Sequence, residues 1–368
     1  MILHLFDDEK VVNRAIDLFE EAFPEQNIFI VRIVDKPKYV HEDSRVIFYK
    51  DSDSINFNEF LNIDNITIHS LQLWKIDFIH SLGYKPSKVW WCVWGADMYN
   101  SILVHLGYNI YYEPQFVSGS FKSKLFSIIS KVGIYAPTTK KQLDFIKNYV
   151  TNLKTSKEEF KIQKKYLGSY LKADYCEPSN LYYSIEDILS KTLINGSVKG
   201  DNILVGNSAS FSNNHLYVYK ILKNFNIGDR QIVSPLSYGG NEKYRIHVIR
   251  CAKLYFNAKF VPIVDFMPLD EYNKILVQSG ICIYGNWRQE AMGNISISLY
   301  LGAKVFLSKK SPLLGLFRRM GVIIFCLEEM TQIDLDTPLS QIEKDRNREI
   351  LFNILERNSI IEGIRQNW

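Results

Sequence analysis

Four short apolar runs in the second half of the chain, at 203–205, 231–233, 260–263 and 281–284, each end in a polar loop that opens a helical repeat. That pattern permits few folds. Runs this short suit strands buried on both faces, the condition of a parallel sheet. Parallel neighbours need a crossover, and the helical repeats supply it. The first half alternates in the same way: a strand at 2–6, a helix over 10–23 before Pro24, strands at 28–34, 46–49 and 66–69, a helix over 71–82 and a tryptophan-rich strand at 88–93. The expected fold is α/β, with two doubly wound Rossmann-like domains. A chain of 368 residues has room for both. Their expected bounds are 1–177 and 201–368, joined by a linker over 178–200, with the last helix free to pack back on the first domain.

In such sheets ligands gather where a strand's C-terminal end gives onto a helix, because main-chain N–H groups and the helix's positive end point there. The stretch 280–309, GICIYGNWRQEAMGNISISLYLGAKVFLSK, offers a loop of this kind. Arg288 contributes a fork of donors beside Gln289, and Gly293, followed by Asn294, allows close approach of the backbone, an arrangement suited to a diphosphate. A second loop carries Gly206, Asn207 and Ser208, and a third carries Tyr238 and Asn241. The second is not a Walker loop or a dinucleotide fingerprint, yet it can bind phosphate through main-chain donors.

The first domain's most informative run is Trp90-Trp91-Cys92-Val93-Trp94-Gly95-Ala96-Asp97-Met98-Tyr99. It places Asp97 at a strand's end among indoles, where desolvation would raise its pKa and fit it to act as a general base. Trp94 and its neighbours suit a sugar ring. His69 closes the preceding strand and is expected beside Asp97. The plainer role for Asp97 is a cap on the following helix. Asp51 and Asp53 form a D-x-D pair of the kind that holds a divalent metal, but they sit in a polar turn and no metal is expected.

The net charge is +4, while 116–172 holds twelve lysines and three acids, +9, leaving −5 elsewhere. Lysines interleaved there with Phe121, Leu125, Phe126, Ile128 and Ile129 suit an anionic membrane surface. No nucleic-acid module accompanies them, and nucleic acid is not an expected partner. No apolar run reaches about 18 residues, so no transmembrane helix is expected. The N-terminus lacks a secretory pattern, which points to the cytoplasm. The five cysteines are scattered and read as reduced core residues.

Taken together, W-x-x-W-G-A-D-M-Y at 91–99, I-L-V-G-N-S at 203–208, S-N-x-H at 212–215, P-L-S-Y-G-G-N at 235–241, and R-Q with a following Gly-Asn at 288–294 resemble the 4-alpha-L-fucosyltransferase family, glycosyltransferase family 56. That family includes bacterial transferases of TDP-N-acetylfucosamine onto a lipid-linked disaccharide in enterobacterial common antigen synthesis. The resemblance implies the GT-B architecture, two domains facing a cleft. It implies a nucleotide-sugar donor, dTDP-linked favoured, without an essential metal, and an undecaprenyl-diphosphate-linked glycan acceptor. The enzyme would lie peripherally on the cytoplasmic face of the bacterial inner membrane. Carried over by position, it puts the donor at Gly206, Asn207, Ser208, Tyr238, Asn241, Arg288, Gln289, Gly293 and Asn294, and Asp97 in the acceptor cleft, with Asp97 and Arg288 in the chemistry. A nucleotide-sugar epimerase or hydrolase of the same architecture is the alternative, drawing its acids and histidine from Glu242, Glu290 and His215.

Overall fold

The computed structural model describes residues 1–51, 60, 63–116, 135–177, 182–189 and 193–368. They form two units, one from the described residues of 1–108, 123–184 and 357–368, the other from those of 109–122 and 185–356.

Among the described residues the first unit holds a seven-stranded sheet: β1 (Ile2–Asp7), β2 (Asn27–Arg32), β3 (Val46–Tyr49), β4 (Asn65–His69), β5 (Lys88–Cys92), β6 (Asn152–Lys154) and β7 (Asp174–Cys176). The spatial order is β3-β2-β1-β4-β5-β6-β7, with every pairing parallel. Ile2 stands opposite both Asn27 and Asn65, so the strand order reverses between β1 and β4. Such a reversal opens a crevice at the strands' C-terminal ends.

The second unit's sheet has six strands: β8 (Ile203–Val205), β9 (Ile232–Pro235), β10 (Phe260–Ile263), β11 (Ile281–Tyr284), β12 (Lys304–Leu307) and β13 (Phe325–Cys326). Its order, β10-β9-β8-β11-β12-β13, is again parallel throughout and reverses between β8 and β11. Ile203, Val205, Ile232, Ile281, Ile283 and Phe306 are buried in its core, as expected of strands covered on both faces.

Two departures from the sequence pattern have local causes. The basic stretch is part of the first sheet as far as it is described: the helix Pro137–Asn148, β6, the helix Lys157–Leu167 and β7. Lys154 on β6 is only 3% exposed, with its ammonium 5.2 Å from the ring centroid of Trp90 and 4.3 Å from that of Trp368. Phe121, Leu125, Phe126, Ile128 and Ile129 lie outside the described residues. The apolar run at 322–325 turns into a strand only at Phe325. Asn347 explains the delay: its amide bonds the N–H of Ile323 at 2.7 Å and the carbonyl at 3.0 Å, and so ties this segment to the helix Gln341–Leu355 instead of to β12.

After that helix the chain returns to the first unit as a further helix, Arg357–Asn367. Its Ile360, Ile361 and Ile364 are buried against Ala15, Ile16 and Phe19 of the helix Val12–Ala22. Each such side chain contributes about 1.5–3 kcal/mol by leaving water. All five cysteines are free, and Cys92, Cys282 and Cys326 are buried.

Candidate functional site

In the second unit the loops leaving β8, β9 and β11 are bonded into one cradle. The chain leaves β8 through Gly206 at φ +73°, where a Cβ would stand 2.8 Å from Asn213 Oδ1 and 2.9 Å from His215 Nε2, so only glycine fits. The N–H of Asn207 donates to Asn213 Oδ1 at 3.0 Å, and Asn213 Nδ2 donates to Ser208 Oγ at 3.2 Å. Ala209 N–H donates to the Tyr238 carbonyl at 2.7 Å, and Asn207 Nδ2 lies 3.4 Å from the Tyr238 hydroxyl. Gly240 makes this approach possible, because a Cβ there would meet the Ala209 carbonyl oxygen at 2.2 Å.

Glu290 joins the β11 loop to the β8 loop. Its Oε2 accepts from Ser212 Oγ at 2.6 Å and from Asn286 Nδ2 at 2.7 Å, and lies 3.2 Å from Arg288 Nη2. Arg288 also donates through Nη1 to the Gln289 carbonyl at 2.8 Å, and its Nη2 lies 3.4 Å from Ser212 Oγ. Arg288 is 7% exposed, yet among the described residues its Nε has no hydrogen-bond partner, and neither do Asn207 Oδ1, Asn286 Oδ1, Gln289 Oε1 or His215 Nε2. Buried polar atoms are nearly always bonded, so five orphans in one set of loops point to a polar ligand. Burial pushes the His215 pKa down to about 3, which keeps the ring neutral, and raises that of the Tyr238 phenol.

Gly206, Asn207, Ser208, Tyr238, Arg288 and Gln289 are thus gathered in the bonded loops. Asn241 joins the same loop but acts as a helix cap, accepting from Tyr244 N–H at 2.9 Å. Gly293 and Asn294, expected in a loop, lie inside the first turn of the helix Met292–Tyr300, which Ala291 enters at φ 63°. Asn286 is not among the residues the sequence points to, and Ser212 and Asn213 enter only through S-N-x-H at 212–215; their shared signal is the amide and hydroxyl density of S-N-N and G-N-W at two strand ends.

The first unit differs from expectation at its centre. Asp97, 1% exposed, opens the π-helical segment Ala96–Leu103. Its Oδ2 accepts from Leu71 N–H at 2.8 Å and Trp91 Nε1 at 2.7 Å, and its Oδ1 from Trp94 N–H at 3.0 Å, with Met98 N–H as a further donor. Burial raises its pKa while the four donors oppose the shift. A carboxylate so enclosed braces the loops after β4 and β5. His69 is likewise a core residue, with no exposure. Its ring stacks on Phe6 at 3.8 Å between centroids, and its nitrogens meet His4 at 3.1 Å and Tyr182 at 3.0 Å. Trp94 is half-buried just past the C-terminal end of β5. Asp51 lies 3.6 Å from Arg32, and Asp53 falls outside the described residues.

Trp94 lines a cavity of about 780 Å³ formed by the loops after β1, β2, β4 and β5. Asp7, Asp8 and Glu9 enter it in succession. Asp7 is held by the buried Lys75 at 2.8 Å and by Trp74 Nε1 at 2.9 Å. Asp8 accepts the N–H groups of Tyr39 and Val40 at 3.0 and 2.9 Å. The Glu9 carboxylate makes no hydrogen bond or ion pair among the described residues, and partial desolvation, then Asp7 and Asp8, raises its pKa.

Residues 177–356, just under half the chain, match the model of the 4-alpha-L-fucosyltransferase glycosyl transferase group 56 family. The fold is similar to sucrose-phosphate synthase from Thermosynechococcus elongatus, with a TM-score of 0.67 at 8% identity over 100% of this chain and 98% of that one. It is also similar to the E. coli trehalose-6-phosphate protein bound with UDP-2-fluoro glucose, with a TM-score of 0.62 at 10% identity over 100% and 98%. A third likeness is to a glycosyltransferase from Rickettsia africae, with a TM-score of 0.58 at 12% identity over 99% and 96%. At these identities the likeness establishes the fold, the GT-B architecture with a parallel-sheet domain in each half. The family match falls on the half that carries the bonded loops: residues 177–356 match the model of glycosyl transferase group 56, the 4-alpha-L-fucosyltransferases, and with the fold this makes the chain a glycosyltransferase.

Proposed function

We propose that this glycosyltransferase moves a fucose-like sugar, 4-amino-4,6-dideoxy or its N-acetylated form, from a nucleotide diphosphate to a lipid-linked glycan. The favoured donor is dTDP-linked. The setting is bacterial surface polysaccharide synthesis on the cytoplasmic side of the inner membrane, with the basic 116–172 stretch on anionic lipid. The observation that carries this reading is the cradle at the β8/β11 reversal, where Arg288 Nε and the side-chain oxygens of Asn207, Asn286 and Gln289 are buried without partners. Negative charge growing on the leaving diphosphate is stabilised by Arg288, the main-chain N–H groups of 206–208 and the start of the helix Met292–Tyr300. These donors need no metal to act.

The acceptor sugar occupies the first unit's cavity with Trp94 as a wall, and Asp97 holds that wall in place. For an inverting transfer, the acceptor O–H bond breaks with its proton passing to the Glu9 carboxylate. The oxygen bonds to the anomeric carbon, and the bond from that carbon to the phosphate oxygen breaks, its electron pair leaving on the diphosphate.

The test is to incubate the purified protein with a panel of nucleotide-sugars, with and without membrane lipid extract, and with and without EDTA. Sugar transferred to lipid is the expected product. Free epimer or free monosaccharide would replace this reading with the epimerase or hydrolase, and loss of transfer on chelation would overturn the metal-free mechanism.

A further inference from the structure

The helix Glu242–Phe256 begins at its cap Asn241, directly after the loop that carries Tyr238. It buries Tyr244, Val248, Ala252 and Phe256 in the second unit's core. Its opposite face is unusual. Ile246 is 56% exposed and Leu254 72% exposed, and with Ile249, Arg250 and Lys253 they line a shallow groove of about 470 Å³. Lys243 stands on the same face one turn earlier, since positions 243, 246, 250, 253 and 254 follow helical spacing. Lys243, Arg250 and Lys253 form no ion pair among the described residues, whereas Arg245 on the flank is paired with Glu242.

Two protruding aliphatics and three unpaired cations on one stripe choose among partners by charge. A second copy of the chain, docked face to face, would set cations against cations in an isologous contact. An anionic bilayer satisfies both chemistries at once. Ile246 and Leu254 are eight residues apart, roughly 12 Å along the axis, on one side of a straight helix. Both can enter the acyl boundary together while Lys243, Arg250 and Lys253 meet the headgroups. We infer that this face of the helix Glu242–Phe256 is a lipid-docking surface for anionic membranes. It shares with the proposed function only the lipid-borne acceptor, and donor binding does not depend on it.

The experiment uses the full chain with vesicles of phosphatidylcholine, alone and with phosphatidylglycerol added, read by co-sedimentation. Wild type should partition to the anionic vesicles and leave them as salt is raised. The pairs I246S/L254S and R250E/K253E should each lower that partition by about tenfold or more, while circular dichroism and nucleotide-sugar binding by calorimetry stay at wild-type values. Vesicle binding equal to wild type in both variants would overturn the inference and assign lipid contact elsewhere. A wild type that ignores anionic vesicles would overturn it too. So would a wild-type dimer in light scattering that the variants dissociate, since that marks the face as a protein contact. Failure of wild type to bind any nucleotide-sugar would instead sink the proposed function and leave the vesicle result standing.

Discussion

The two sheets reverse strand order in the same way, yet the polar groups at the two reversals are in opposite states. At β8/β11 the side chains are bonded to each other on one side only: Arg288 holds Glu290 through Nη2 while its Nε is left without a partner, and Asn207 and Asn286 each keep an unbonded carbonyl oxygen. At β1/β4 the corresponding acids are saturated. Asp97 accepts from main-chain and indole N–H groups on both oxygens, Asp7 from Lys75 and Trp74, and Asp8 from the main chain of 39–40. A buried polar group with its bonds complete contributes to stability, and one held ready but incomplete contributes to binding. On the function proposed above, the second unit keeps these groups for a charged ligand, and the first presents a chamber whose unengaged acid is Glu9.

Glu9→Gln breaks this comparison most sharply. Removing an effective base lowers turnover by about 10²- to 10⁴-fold, with nucleotide-sugar affinity unchanged by calorimetry. Turnover equal to wild type would leave the chamber without chemistry. Asp97→Ala should act on stability instead, because Leu71 N–H, Trp91 Nε1–H and Trp94 N–H are left buried and unbonded. At about 1–3 kcal/mol for each such group the loss is roughly 3 kcal/mol or more, read as a lowered midpoint in urea. A fully stable but inactive Asp97→Ala protein would return Asp97 to the chemistry and erase the contrast between the units.

The sequence announced the sheets because their central strands are uninterrupted apolar runs, and it announced the cradle because glycines and amides follow those runs directly. It hid β6, since Asn152-Leu153-Lys154 has a single apolar residue and its lysine is buried by two indoles far apart in sequence. At Asp97 the sequence shows three neighbouring tryptophans but not which way each one points. Trp91 in fact points its indole N–H back at the carboxylate, a contact that depends on how the strand turns at Gly95, with φ at 89°. His69 failed for a related reason: the last residue of a strand can face inward as easily as outward, and here its ring lies on Phe6. Arg288 is readable in the sequence, but the approach of Ser212 to it across 76 residues of chain is not. Glu9 passed unnoticed because Asp7-Asp8-Glu9 reads as a solvated turn until the bonding of its neighbours singles it out.

Arg288→Ala sharpens the comparison from the other side. Charge-assisted bonds of about 1.5–3 kcal/mol would be lost to the diphosphate, a weakening of roughly tenfold to a hundredfold in calorimetry. Arg288→Lys should restore little, because a point charge cannot replace the fork that also holds Glu290. Unchanged affinity in both variants would remove Arg288 from the ligand and leave it a brace like Asp97.

The smallest effect concerns what the two units share. Each buries a neutral histidine, His4 in the first and His215 in the second, and burial pushes both pKa values down to about 3. The folded state therefore binds fewer protons than the unfolded chain, whose histidines titrate near 6.5. Their stabilising contribution is complete above about pH 6.5 and falls as the pH drops toward 3, at close to 1 kcal/mol per histidine between pH 6 and pH 5. His4→Gln and His215→Gln should each flatten the pH dependence of the urea midpoint over that interval by one histidine's share. If only His4→Gln does so, His215 is open to water in the free protein, and the orphaned Nε2 beside Gly206 is hydrated and not held dry for a ligand.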